Sequence, residues 1–410
     1  MSSEVAQESS TPSTQQASAR PPSFQNTLSK YLGSGNIGQL PVVLALIIIA
    51  IFFQITSPDG VFLSPRNLSN LILQGATLGT LGLASTLVLL IGEIDLSLGV
   101  VSYATAAITV IYSVYHGWST VPALLIGLLA GVVIGLVNGF FVAVLRVPSF
   151  VVTLAGLLGY QGFVIHILYP QTTLGNRDQF IFSLVTSYLP DYLGIGLPVL
   201  AVVIYAGGTL FARIQRQRNG LAVGPIWTTW LRIAVTLVLV IGVISLFESY
   251  RGVPLAAVIL SGLILLFWLV LRFTAFGRHV YAVGGNAEAA RRAGINVVGI
   301  RIAVFTMASV LATVGGLLAV SRLDAATAQV DPTLLLNAIA IAVIGGVSLF
   351  GGRGSVWGVA LGLLIIEGIS NGMALLNQTA DVVYIVEGVV LIIAVTADAI
   401  ARRRRAVGAR

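Results

Sequence analysis

Covalent chemistry needs side chains that attack, transfer protons or hold metals, and this chain offers few of them at workable spacing. It has no cysteine and only three histidines, His116, His166 and His279, widely separated and without a second ligand at metal spacing. Thiolate catalysis, disulfides and Cys-ligated metals are excluded, and no metal site is expected. A phosphate loop of the form G-x-x-x-x-G-K-[ST] is absent, because the single lysine, Lys30, follows Thr27-Leu28-Ser29 in a polar stretch. The chain is therefore expected to have no catalytic residues, no cofactor of its own and no enzymatic activity. If ATP drives it, another subunit binds the nucleotide.

The informative polar groups are those that interrupt apolar sequence. In Gly92-Glu93-Ile94-Asp95-Leu96-Ser97-Leu98-Gly99, two carboxylates and a hydroxyl stand between apolar runs. Asp95 and Ser97 are natural helix N-caps. The stretch is either a tight capping turn or a helix break that lines a translocation path, since irregular backbone survives at membrane depth only beside protein or a cavity. Glu367 and Glu387 lie inside apolar runs, where an ionisable group marks a path or a relay. No intramembrane Lys, Arg or Asp accompanies Glu367, which favours a structural or path-lining role over a proton relay. Either carboxylate would also suit an ion-coupled carrier if these runs span a membrane.

The elements that position these groups are apolar helices. The composition is 57% hydrophobic and 9% charged, far from the roughly quarter-charged surface of a soluble domain. Windows of about 19 residues give apolar segments near 39–56, 68–91, 98–114, 121–145, 150–169, 194–212, 232–247, 254–271, 302–320, 334–350, 355–376 and 382–400. These predict an all-α polytopic membrane protein with about 10–12 transmembrane helices, one of them broken near residues 91–98. Gly127, Gly131, Gly135 and Gly139 recur at spacing four, which lets helix backbones approach closely.

Charge sets the orientation. With alternating spans, only Arg66, Arg177, Arg251 and Arg322 of the 22 basic residues fall on one side, so the other side is cytoplasmic and both termini lie there. The net charge of +7 is thereby explained by membrane orientation, without nucleic acid. The predicted organisation is a disordered cytoplasmic tail over 1–36, a membrane permease domain over 37–400 with a cytoplasmic loop at 273–300, and a basic cytoplasmic tail over 401–410. Outside segments 170–193 and 321–333 read as connecting loops, the first with a short surface helix around Phe180 to Val185.

The long inside loop carries its own helix signals. Asn286 is a good N-cap, Glu288 suits the helix start, Arg291 and Arg292 suit its end, and Gly294 can terminate it. The spacing predicts a helix of about two turns, too short to stand alone. Docking onto a motor subunit and a passive connector both fit.

Several of these stretches resemble a known family. Gly92-Glu93-Ile94-Asp95-Leu96-Ser97-Leu98-Gly99, Val147-Pro148-Ser149-Phe150-Val151-Val152-Thr153-Leu154-Ala155-Gly156, Arg251-Gly252-Val253-Pro254, all of Thr274 to Val297, Gly351-Gly352-Arg353-Gly354-Ser355 and Asn371-Gly372-Met373 occur in this order. Together they resemble the permease subunits of ATP-binding-cassette sugar importers, specifically the xylose-type permeases of the ribose/xylose group. The resemblance implies inward transport of a monosaccharide, xylose or a related pentose. It also implies a homodimeric pore in the cell membrane, a cytoplasmic sugar-importer ATPase that binds ATP and Mg, and an external sugar-binding protein. On that likeness Gly284, Gly285, Asn286, Glu288, Arg291, Arg292 and Gly294 form the coupling surface for the ATPase, and Glu93, Asp95, Ser97, Glu367 and Asn371 belong to the translocation path. The long N-terminal tail and residues 170–193 depart from the pattern, so no residues are assigned to the contact with the external binding protein.

Overall fold

A computed structural model describes residues 40–221, 223–331 and 333–407. The polar segment 1–36 lies outside them, as do residues 408–410. The chain runs through α1 (Leu40–Thr56), α2 (Pro65–Leu90), α3 (Leu98–Val114), α4 (Thr120–Ala143), α5 (Ser149–Leu168), strand β1 (Thr173–Gly175), α6 (Gln179–Thr186), α7 (Asp191–Arg218), α8 (Ile226–Glu248) and α9 (Leu255–Phe273). It continues through α10 (Ala275–Gly285), α11 (Ala287–Arg292), α12 (Val297–Leu323), strand β2 (Ala325–Thr327), α13 (Thr333–Ile344), α14 (Gly358–Leu375) and α15 (Ala380–Val407). Each of the apolar segments read from sequence contains a helix, but the one read at 334–350 is helical only to Ile344, and the chain turns at Gly346 with φ of +89°. Among the described residues, eight helices are long and apolar enough to cross a bilayer, with α1, α3 and α13 shorter and apolar. The backbone of α15 continues as helix through Val407, past the boundary at 400 expected from hydropathy.

Polar residues and prolines set the helix starts. Ser64 accepts from Asn67 N–H ahead of Pro65 in α2, and Thr274 accepts from Gly277 N–H at α10. Both satisfy amide groups that have no partner inside the helix. The α10 segment was not legible as a helix, because three glycines in eleven residues weaken its intrinsic preference. Burial of Gly277, Val280 and Val283 against the body supplies what propensity lacks.

The centre of the molecule is built from α2, α3 and α12, whose side chains are buried over most of their length. The α4 helix lies against α3 and α12 along its glycine face. Gly127 meets Thr109, Gly131 meets Thr313, and a Cβ on Gly135 would come within 2.5 Å of the Thr306 Cα. Such backbone approach substitutes dispersion contacts for a hydrophobic drive that lipid does not supply. In contrast, α7 buries only Gly194 and Val202, and Val203, Ile204, Phe211, Val238 and Leu239 of the α7–α8 pair are exposed. With lipid as the solvent, such faces need no protein cover.

At one end of the bundle the expected separate loops prove to be joined. β1 pairs antiparallel with β2, placing Thr173 opposite Thr327. Asp178 caps α6 by accepting from Phe180 and Ile181 N–H, and it also accepts from Thr120 Oγ1 at 2.6 Å. Ser321 of α12 accepts from Val185 N–H and donates to the Phe182 carbonyl, each at 2.8 Å. The surface helix read at 180–185 is therefore clamped to the central α12.

Candidate translocation and coupling site

The break between α2 and α3, residues 91–97, lies at the opposite end, beside Asn138 of α4 and Arg301 of α12. Gly92 turns it with φ of +76°, and a Cβ there would press on the Phe350 carbonyl at 3.3 Å. The exposed amides of the break find partners on α5: Ile94 N–H donates to Ser149 Oγ at 3.2 Å, and Leu96 N–H to Thr153 Oγ1 at 3.0 Å. These two hydroxyls explain the segment Val147 to Gly156, whose polar positions carry a weak signal in the sequence alone. Glu93 pairs with Arg301 in the second turn of α12, Nη2 to Oε1 at 2.9 Å.

Asp95 and Ser97 sit at the buried centre of this break. Asp95 Oδ1 accepts from Ser97 N–H at 2.8 Å and from Ser97 Oγ at 2.6 Å. Ser97 occupies the N-cap position of α3 but its side chain makes no capping bond. That corrects the expectation from capping preference: the hydroxyl is drawn inward, where it also accepts from Asn138 Nδ2 at 3.2 Å. Asn138 Oδ1 in turn accepts from the Tyr160 hydroxyl at 2.9 Å. No motif marks Asn138 or Tyr160 in the sequence, although Asn138 is the one amide side chain in α4. Polar side chains between apolar helices bond across them, and that was the available signal.

The segment 274–297 is seated against the same break. Gly284 of α10 packs on the Leu90 carbonyl, and Gly352 N–H donates to that carbonyl at 2.9 Å. Gly351, Gly352 and Gly354 have φ of +81°, +71° and +137°, conformations that suit glycine. Tyr281 donates to the Gly354 carbonyl at 3.0 Å. Burial pushes the Tyr281 phenol above its ordinary pKa, against the pull of Arg272, so it stays protonated and donating at neutral pH.

α11 follows the reading from sequence closely. Asn286 Oδ1 accepts from Ala289 N–H at 2.9 Å, and Gly294 has φ of +83° just past the helix. Ala290 is buried and tethers it. Glu288 lies 3.5 Å from Arg291 and 3.3 Å from Arg292, all three exposed. Exposed pairs of this kind contribute little to stability, which leaves their charges free for other contacts. Gly285 is exposed beside them.

The expected path residues are not gathered in one place. Glu93, Asp95 and Ser97 share the break. Glu367 is half-buried in the middle of α14 facing Gly75 of α2, where a Cβ would meet its Cγ at 3.0 Å. Asn371 lies a turn further toward the other end and accepts from Asn67 Nδ2 at 2.8 Å. Glu387 is buried and accepts from Asn337 Nδ2 at 2.9 Å, joining α15 to α13. Among the described residues no three His, Cys, Asp or Glu side chains converge as metal ligands. An open groove of about 890 Å³ runs between α3, α4 and α5, with Ile111, Tyr112, His116, Leu129, Tyr160 and His166 on its walls.

The loop between the buried helices α2 and α3 is thus braced by α5 on one side and by the segment 274–297 on the other, and sequence comparison says what kind of protein is built this way. Residues 67–395 match the family described as "Branched-chain amino acid transport system / permease component". The chain belongs to this permease family. It is 38% identical to the xylose transport system permease protein XylH of Escherichia coli over 91% of this chain and 94% of that one. It is 36% identical to the XylH of Haemophilus influenzae, covering 90% and 97%, and 30% identical to the ribose import permease RbsC of Bacillus subtilis, covering 89% and 94%. No solved structure matches the chain. This permease is a multi-pass membrane protein, and its relatives are transport subunits, not enzymes.

Proposed function

We propose that the permease forms the inward pathway of an ATP-binding-cassette importer for a monosaccharide, xylose or a related pentose. A separate ATPase docks on Asn286, Glu288, Arg291 and Arg292, with Gly284, Gly285 and Gly294 shaping that surface. An external sugar-binding protein delivers substrate at the β1–β2 end, and two copies of the chain enclose the pore. The observation that carries the mechanism is the seat of Gly284 on the Leu90 carbonyl. A push on α10 and α11 is delivered at the last residue before the helix break, where backbone geometry changes most easily. The pentose is carried by the two XylH relatives, and the path set Glu93, Asp95, Ser97, Glu367 and Asn371 would line or shape successive stations between the two ends.

The decisive experiment reconstitutes the permease in liposomes with its ATPase and binding protein and measures ATP-dependent uptake of xylose against ribose, galactose and leucine. Xylose uptake that requires ATP supports the proposal. Preferential leucine uptake, in keeping with the family description, would overturn the sugar. Uptake that needs no ATP and collapses with an ion gradient would overturn the importer class in favour of a secondary carrier.

A further inference from the structure

We propose that Asn138 and Tyr160 are positioning residues that make α5 the moving wall of the groove, tying its position to the break at 91–97 and through it to the segment 274–297. The inference rests on the importer reading above and extends it to residues that no motif marks.

The evidence is the way α5 is held. Its buried residues are only Ser149, Thr153, Val164 and Leu168, and Leu154, Leu158, Phe163 and Ile165 are exposed. Gly159 and Gly162 have open space where a side chain would stand. Apolar packing therefore fixes this helix weakly. Four polar side chains grip it, and three of them lead to one place: Ser149 and Thr153 accept from the amides of Ile94 and Leu96, and Tyr160 reaches Ser97 through Asn138, while Gln161 donates to the Ala328 carbonyl at the β1–β2 end.

The chain of bonds is buried where it matters. Asp95, Ser97 and Asn138 are 3%, 0% and 1% exposed, while Tyr160 is half-buried and also lines the groove. Asp95 Oδ2 is buried with no hydrogen-bond partner among the described residues. A buried carboxylate oxygen left over in this way is a reservoir of unfavourable free energy, and a rearranged break could relieve it. Interhelical hydrogen bonds in membranes are weak enough to be remade during a cycle. At the far side the break is anchored by Glu93 to Arg301 of α12 and by Leu90 to Gly352 and Gly284. A displacement of α10 is thus carried by contiguous contacts to the wall of the groove.

The test uses the complete reconstituted importer, with xylose as probe and rates expressed per assembled complex. Tyr160→Phe keeps the ring and removes only the hydroxyl, so it should fold and assemble. It is expected to lower the maximal uptake rate about tenfold, within the range of coupling effects of network residues, with the KM for xylose within about twofold and more ATP hydrolysed per sugar moved. Asn138→Ala should do the same, and the Tyr160→Phe/Asn138→Ala pair should lose no more than Asn138→Ala alone, because one bond serves both. Ser97→Thr should retain transport that Ser97→Ala loses. Unaltered uptake in Tyr160→Phe, fully multiplicative losses in the pair, or a loss explained entirely by less assembled complex would each overturn the inference. Failure of the unsubstituted complex to take up xylose would instead count against the importer reading.

Discussion

The guanidinium of Arg301, in the second turn of α12, lies 2.9 Å from the carboxylate of Glu93 in the break after α2. Both side chains are largely shielded, 24% and 15% exposed, so the pair ties the central α12 to the irregular stretch between α2 and α3. Glu93→Gln strands a shielded guanidinium and should destabilise the fold by roughly 1–3 kcal/mol, less than the ~3–5 of a fully buried pair because some exposure remains. Thermal unfolding in detergent measures this. The double exchange Glu93→Arg with Arg301→Glu should recover part of the loss, whereas a simple packing role predicts no recovery.

The α4 glycine face gives a second prediction. Gly135→Ala forces a methyl against the Thr306 Cα, and because backbone must move, about 1–3 kcal/mol of stability should be lost. Gly242→Ala in α8 meets nothing and should be neutral or stabilising by up to ~1 kcal/mol, as helix propensity dictates. Equal melting temperatures for the two variants would remove the close-packing account of α4.

Asn286→Ala takes away the side-chain acceptor for Ala289 N–H, a loss of about 1 kcal/mol by the usual worth of an N-cap. Because α11 is tethered by only one buried residue, the effect should be local: faster hydrogen exchange at the Ala289 amide and little change in global unfolding. Asn286→Asp keeps the acceptor and should protect that amide as the native residue does.

Arg291→Glu with Arg292→Glu reverses charges that the fold itself scarcely uses, since their pairs with Glu288 are solvent-exposed. The melting temperature should hold while stimulation of the partner ATPase and sugar uptake fall together. Retained stimulation would remove this surface from the coupling role.

Orientation is open to direct labelling, because the chain has no cysteine of its own. Arg292→Cys should react with an impermeant maleimide only from the cytoplasmic side. Gln171→Cys, at the β1–β2 end, should react only from outside. The reverse pattern would invert the topology inferred from the basic residues.

Much of this molecule is legible in its sequence. Runs of about twenty apolar residues favour helices by themselves, because a helix satisfies every amide within its own segment in lipid, and each run holds one here, although that at 334–350 stops at Ile344. The α11 helix was equally legible, since Asn286, Glu288, Arg291, Arg292 and Gly294 act through local bonds and the helix dipole. What tertiary structure alone decided is how distant segments satisfy one another. α10 is a helix because its buried face compensates a poor propensity, β1 and β2 pair across more than a hundred residues of chain, and Ser97 turns from the expected cap toward Asp95 and Asn138. Glu93, Asp95 and Ser97 stay together because they share one loop. Glu367 and Asn371 lie apart from them, since a span of helix carries residues along the membrane normal at about 1.5 Å each. Sequence spacing shows the polarity of such groups; only packing determines which of them meet.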